Sequence, residues 1–407
     1  MEKHLNPYTP GAGTKPLVIA GRATEVEKAE TLLKSVKEGN AQRSLMLYGL
    51  RGVGKTVLLN EMERISESHE YISEHLEMSE KDDFRRVIAK VARKILLKVS
   101  ATEAFKDKCL GALRILKSFT LAMPDGPEFK FDVDAALGEA DSGDLDSDLT
   151  DLLVALGEAS KEKSKYVCFF IDEVQYLKEK EFSALIAASH RISQKNLPIV
   201  FICAGLPQVA ALSGDAKSYA ERLFDFIPVG SLSSKEAVRA LVEPATNRGV
   251  SLTGEAVSVI IKASKGYPYF IQELGSHTWN VAETSPIDEE SAEAGKVAAV
   301  TAMDKAFFKV RMDRSTAAER DFMLAMASLA NDTYRTSDVA TRLKKKNNSI
   351  GPVRATLISK GFIYSPRLGE IAFTVPLFDD YIRRHYDLSK FNAVILEGKS
   401  LADNSGE

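Results

Sequence analysis

Apolar residues fall along this chain in two patterns. Continuous runs, Ser44-Leu-Met-Leu-Tyr48, Tyr166-Val-Cys-Phe-Phe-Ile-Asp172 and Leu197-Pro-Ile-Val-Phe-Ile-Cys-Ala-Gly205, suit strands buried on both faces. Tyr71-Ile-Ser-Glu-His-Leu-Glu77 alternates as a strand does, and Asp225-Phe-Ile-Pro-Val229 is a shorter candidate. Between these runs the spacing turns helical, over Glu25–Lys37, from Val57 through Ile65, over Asp82–Leu97 and over Glu103–Phe119. Strands alternating with helices predict an α/β fold with a parallel sheet covered on both faces.

From Leu232 onward helices dominate. Ser233 and Glu236 form a capping pair for one, Thr253 caps the next, and Gly266-Tyr-Pro268 opens a third over Tyr269–Glu283. A helix follows within Pro286–Arg314. Beyond it, Ala317–Ala330, Ser337–Leu343 and Ile350–Lys360 read as three helices, and Phe362-Ile-Tyr364 and Glu370–Val375 as hairpin strands around Ser365-Pro-Arg-Leu-Gly369.

Composition narrows the class. With 407 residues, 44% hydrophobic and 27% charged, the chain is long enough for two or three ordinary globular domains. A net charge of −3 argues against a uniformly basic coat. Cys109, Cys168 and Cys203 lack metal-binding spacing, and two sit in apolar runs, which suggests buried thiols in a reducing compartment. There is no signal-peptide core and no apolar stretch of about 18 residues. The expectation is a cytoplasmic protein without a membrane partner. Between Lys130 and Lys161 nine acids and no basic residue suggest a solvated acidic insertion.

The chemistry centres on Gly49-Leu50-Arg51-Gly52-Val53-Gly54-Lys55-Thr56, a G-x-x-x-x-G-K-[ST] loop between a strand and a helix that Val57 continues. Its glycines let backbone N–H groups approach phosphate oxygens, at a helix N-terminus that favours negative charge. Lys55 is expected on the β- and γ-phosphates of ATP, and the Thr56 hydroxyl on Mg²⁺. Asp172 and Glu173 end the most apolar strand. Asp172 would complete the Mg²⁺ shell and Glu173 would activate water; the alternative is a pair forming surface salt bridges.

With both motifs in place, the chain resembles the AAA+ superfamily of P-loop ATPases. It looks closest to the branch of origin-recognition ATPases, transposon helpers and STAND-like switches with a C-terminal winged helix. The resemblance implies a P-loop core over residues 1–231 with the acidic insertion at about 131–160, a helical lid over 232–285 and a linker helix over 286–314. A winged helix-turn-helix over 315–387 and a polar tail over 388–407 complete it. It also implies that Val18, Ile19 and Arg22 line the base or ribose pocket and that Pro268 presses the lid on the nucleotide. Arg222 takes the place of an arginine finger acting on a neighbouring subunit. Two departures stand out. The fourth strand ends in Cys203-Ala-Gly-Leu-Pro207 without the usual polar sensor, for which Gln208 is a substitute, and the lid helix lacks an arginine.

Between Tyr334 and Arg367 eight basic residues face Asp338 alone, a local net of +7. Lys344, Lys345, Lys346, Arg354 and Arg367 are therefore candidate contacts to double-stranded DNA phosphates. Two functions stay open. One is an ATPase whose ATP or ADP state controls DNA engagement, through assembly as a homo-oligomer. The other is a signalling or defence switch, slow in hydrolysis, whose winged helix docks on protein.

Overall fold

The computed structural model describes residues 1–100, 107–123, 133–210 and 220–391. Strands β1 (Ser44–Tyr48), β2 (Tyr71–Glu77), β3 (Tyr166–Asp172), β4 (Ile199–Gly205) and β5 (Phe224–Pro228) form one sheet in the order β2-β3-β4-β1-β5. Every pairing is parallel, with Leu45 opposite Ile202, Ser44 opposite Phe224 and Glu77 opposite Asp172. The apolar runs of β3 and β4 are buried almost end to end, as a sheet covered on both faces requires. Helices α1 (Ala23–Lys37), α2 (Lys55–Ser68), α3 (Phe84–Ser100), α4 (Asp107–Leu121), α5 (Leu145–Glu162), α6 (Glu179–Gln194) and the short α7 (Ala220–Leu223) accompany it.

Residues divide into two compact units. The sheet unit comprises Arg22–Gly49 and Gly54–Val229; the other comprises Met1–Gly21, Leu50–Val53 and the chain from Gly230 on. The first 21 residues therefore do not belong with the sheet, as the sequence reading of residues 1–231 had them. Tyr8, Val18 and Ala20 carry this segment into the second unit's core, and the Tyr8 hydroxyl donates to Leu241 O at 2.6 Å.

The acidic stretch also reads differently in three dimensions. Residues 124–132 lie outside the described residues. From Leu145, however, the chain is the core helix α5, with Leu149, Leu152, Leu153 and Leu156 fully buried. The acids cluster because they serve a helix start. Asp144 caps α5 through Ser147 N–H, and Asp146 and Asp148 sit in the first turn, where the helix dipole favours negative charge.

Asp148 has no exposed surface. It accepts from Arg85 Nη2 at 2.6 Å, Ser142 Oγ at 2.7 Å, Ser142 N at 2.9 Å and Gly143 N at 3.2 Å. The Arg85 guanidinium in turn lies 4.7 Å over the Phe119 ring. Removing one partner of a buried ion pair strands the other, so Asp148→Ala is expected to cost about 3–5 kcal/mol in urea unfolding. A loss below about 0.5 kcal/mol, the range of ordinary surface substitutions, would show that Arg85 finds water instead.

In the second unit, helices α8 (Ser234–Thr246), α9 (Gly254–Ser264), α10 (Pro268–Val281) and α11 (Glu289–Met303) come first. A π-turn at Asp304–Phe308 leads into α12 (Lys309–Asp313). Ser233 and Thr253 cap α8 and α9 through Glu236 N–H and Ala256 N–H. Then follow α13 (Ala317–Ala327), β6 (Tyr334–Arg335), α14 (Thr336–Arg342), α15 (Asn347–Ser359), β7 (Ile363–Tyr364), β8 (Glu370–Phe373) and α16 (Phe378–His385). The three short strands form an antiparallel sheet, β6-β8-β7. Phe308 stacks on Phe378 and Tyr381, and Phe307 stacks on Tyr269, so the π-turn joins the two helical groups of this unit. Among the described residues, no helix is long and apolar enough to cross a membrane.

Candidate functional site

Because the strands run parallel, the ends of β1, β3 and β4 meet at one edge of the sheet. There Gly49 N–H donates to Gly205 O at 3.1 Å, fixing the foot of the phosphate loop to β4. Gly52 and Gly54 take φ of +79° and +90°, a left-handed backbone that a side chain would strain. Lys55 then opens α2. It is only 8% exposed, and its ammonium donates to Gly49 O at 2.9 Å, inside the turn of the loop.

The Thr56 hydroxyl donates to Asp172 Oδ2 at 2.6 Å. Burial pushes the Asp172 carboxyl up, and the Thr56 hydrogen bond opposes that rise. Glu173 adopts φ +56°, a left-handed conformation uncommon outside glycine, and its N–H donates to Asp172 Oδ1 at 2.8 Å. Its carboxylate accepts from Gln175 Nε2, while Gln175 Oε1 accepts from Leu206 N–H at 3.0 Å.

These donors fit the expected ligands. Thr56 and Asp172 offer hard oxygens side by side. That suits Mg²⁺, which is held by one or two carboxylate or hydroxyl oxygens plus phosphate and water rather than by an all-protein cage.

The tip of the loop, Leu50–Val53, packs in the other unit. Arg51 N–H donates to Thr374 O at 2.9 Å, just after β8, and Tyr269 N–H donates to Gly52 O at 3.1 Å. Pro268 is the first residue of α10, so it starts the helix whose second amide reaches Gly52.

Residues 18–202 match the family model described as an AAA ATPase domain. Residues 305–382 match a second model, Domain of unknown function (DUF8462). A search of curated proteins finds no match. Among solved structures, the Walker-type ATPase PABY2304 of Pyrococcus abyssi is 15% identical, covering 93% of this chain and 99% of that one, with a TM-score of 0.54. ORC1 of Aeropyrum pernix, solved in complex with DNA, is 12% identical over 91% and 94%, at a TM-score of 0.48. The first likeness shows a shared fold.

The sheet unit carries Lys55, Thr56, Asp172 and Glu173, with Asp172 accepting from both Thr56 and Glu173. Arg22 is buried with its guanidinium 3.6 Å from Glu25, so its charge is already answered within the sheet unit. Val18 is buried in the second unit's core and Ile19 is half-buried. Val57 is half-buried on α2. Gln208, the substitute sensor, has a buried Oε1 with no hydrogen-bond partner among the described residues. Gln175, which sequence reasoning passed over, reaches the end of β4 instead, accepting from Leu206 N–H. The available signal was its place two residues after the acid pair.

Arg222 is exposed on α7, and nearby Asp225 pairs with Lys28 at 2.7 Å. Phe224 pairs with Ser44, the start of β1, whereas the phosphate loop follows the end of β1. The five residues of β1 put about 13 Å between those levels, beyond the reach of Arg222 to its own Lys55.

In the C-terminal unit Lys344, Lys345, Lys346 and Arg367 are exposed. Arg354 is half-buried and donates to Ser365 Oγ at 3.1 Å. Lys360 pairs with Glu319 at 2.9 Å, and Arg342 donates to Phe391 O at 2.7 Å. The +7 of the sequence is thus reduced where it meets solvent, and Arg354 serves the hairpin rather than standing out from it.

Proposed function

We propose that this protein is a Mg²⁺-dependent ATPase whose nucleotide state controls its engagement with double-stranded DNA. One observation carries the ATPase part: the Thr56 hydroxyl, the Asp172 carboxylate and the buried Lys55 ammonium converge where the loop turns. Lys55 would draw charge from the β- and γ-phosphates, Thr56 and Asp172 would hold Mg²⁺, and Glu173 would take the proton from attacking water.

The DNA part is supported by the order helix, strand, helix, helix, hairpin, which describes a winged helix. The exposed Lys344–Lys346 run precedes α15, and Arg367 lies at the hairpin tip. Wild-type protein titrated with duplex at several salt concentrations, with ATP, ADP or neither, should bind differently between nucleotide states. Replacing all three lysines with Glu should weaken binding about tenfold or more and flatten its salt dependence. Unchanged affinity and slope would remove DNA from the proposal and leave the ATPase.

A second reading, a switch whose winged helix engages protein, is favoured by the Arg51-to-Thr374 hydrogen bond. Through it the segment after the hairpin occupies an amide of the phosphate loop, and a ligand that reorders one would be felt by the other.

Arg222 would act in trans as an arginine finger. Arg222→Ala should lower turnover only at concentrations where sedimentation shows association. An equal loss in proven monomer rules that role out.

A further inference from the structure

We infer that Gln175, in the turn Val174–Tyr176 that follows β3, is the positioning residue for the Glu173 general base. The inference rests on the hydrolysis reading above. Its backbone and two neighbouring side chains hold Glu173. Its backbone sits at φ +56°, its N–H is held by Asp172 Oδ1 at 2.8 Å, and its carboxylate accepts from Gln175 Nε2. The orientation of the Gln175 amide is not arbitrary. Leu206 N–H can only donate, so the end of the amide facing it at 3.0 Å must be oxygen, and the NH₂ end must face Glu173.

The environment is built around this side chain. A Cβ on Gly205 would lie 3.1 Å from Gln175 Oε1 and closer still to Val174 and Val209, so glycine there keeps the slot open. Gly205 O also receives Gly49 N–H, the foot of the phosphate loop. Gln175 therefore ties the base, the end of β4 and the loop foot into one chain of hydrogen bonds. During turnover, water oxygen bonds to the γ-phosphorus, the β,γ-bridging P–O bond breaks with its electron pair leaving on ADP, and the water proton passes to Glu173. Gln175 touches none of these atoms. It fixes the plane of the carboxylate that accepts the proton, and misplacing such a group by an ångström slows a reaction far more than it weakens binding.

Two variants separate this role from a merely structural one. Gln175→Ala removes both hydrogen bonds. Gln175→Glu keeps the shape and an acceptor for Leu206 N–H, but it replaces the donor with a charge repelling Glu173. We expect kcat to fall at least about tenfold in both, with affinity for a non-hydrolysable ATP analogue changed by less than about twofold. In a Glu173→Gln background, adding Gln175→Ala should change residual turnover by less than about twofold, because the two act as one unit. Near-wild-type kcat in Gln175→Glu would assign any Gln175→Ala defect to the Leu206 tether and overturn the inference. So would unchanged or raised kcat in Gln175→Ala, a loss carried by affinity, or additive effects in the double variant. If wild type binds Mg-ATP without releasing phosphate, the hydrolysis reading falls and takes this inference with it. If wild type turns over and Gln175→Ala matches it, only this inference is lost.

Discussion

Lys55→Ala is expected to weaken ATP binding at least about a hundredfold in calorimetry while leaving the folded sheet unit intact. The magnitude follows from what the ammonium would contact. A charge-assisted hydrogen bond is worth about 1.5–3 kcal/mol, and two phosphates accepting from one ammonium double that. Since 1.4 kcal/mol is a factor of ten, two such bonds exceed a hundredfold. The ammonium is already placed: it is nearly buried and donates to the Gly49 carbonyl, at the foot of the loop it would serve. Losing that bond to one of the loop's own carbonyls removes little stability, because α2 remains anchored by Leu58, Leu59 and Met62 in the core. Equal ATP affinity in the variant, with an unchanged melting temperature, would mean that phosphates are held elsewhere.

Much of this site was legible because its residues are local in sequence. The loop, its lysine and its threonine are contiguous, and continuous apolar runs marked β3 and β4 without knowledge of what covers them. Asp172 and Glu173 were found because they close such a run. What stayed hidden depends on long-range pairing. Gln175 acquires meaning only when Leu206 comes beside it, 31 residues on. The strand Tyr334–Arg335 is two residues long and exists because β8 supplies its partner. The acids near Asp148 read as a solvated run, since charge alone cannot reveal that Arg85, 63 residues away, returns to meet one of them. The +7 count failed in the same way: Glu319, outside the counted window, neutralises Lys360. Charge counts along a chain overstate charge at a surface whenever helices fold back on one another.

Glu173→Gln is expected to keep ATP binding while cutting phosphate release about 10²- to 10⁴-fold, the usual span for removing a general base. The substitution preserves size and the backbone N–H that Asp172 Oδ1 accepts at 2.8 Å, so the φ of +56° has no new reason to relax. Affinity should hold because the grip on phosphate and metal is assigned to Lys55, which donates to Gly49 O, and to Thr56, which donates to Asp172. The two acids at the end of β3 thus separate by function. Asp172 is buried and bonded to Thr56, and Asp172→Asn should weaken Mg-ATP binding itself. Glu173 is half-buried and reaches toward β4 through Gln175, so its loss should appear in kcat alone. A rapid-quench comparison of wild type and Glu173→Gln at saturating Mg-ATP reads this directly. Wild-type phosphate release from the variant would disqualify Glu173 as the base. A matching loss of affinity would place it in the binding shell beside Asp172.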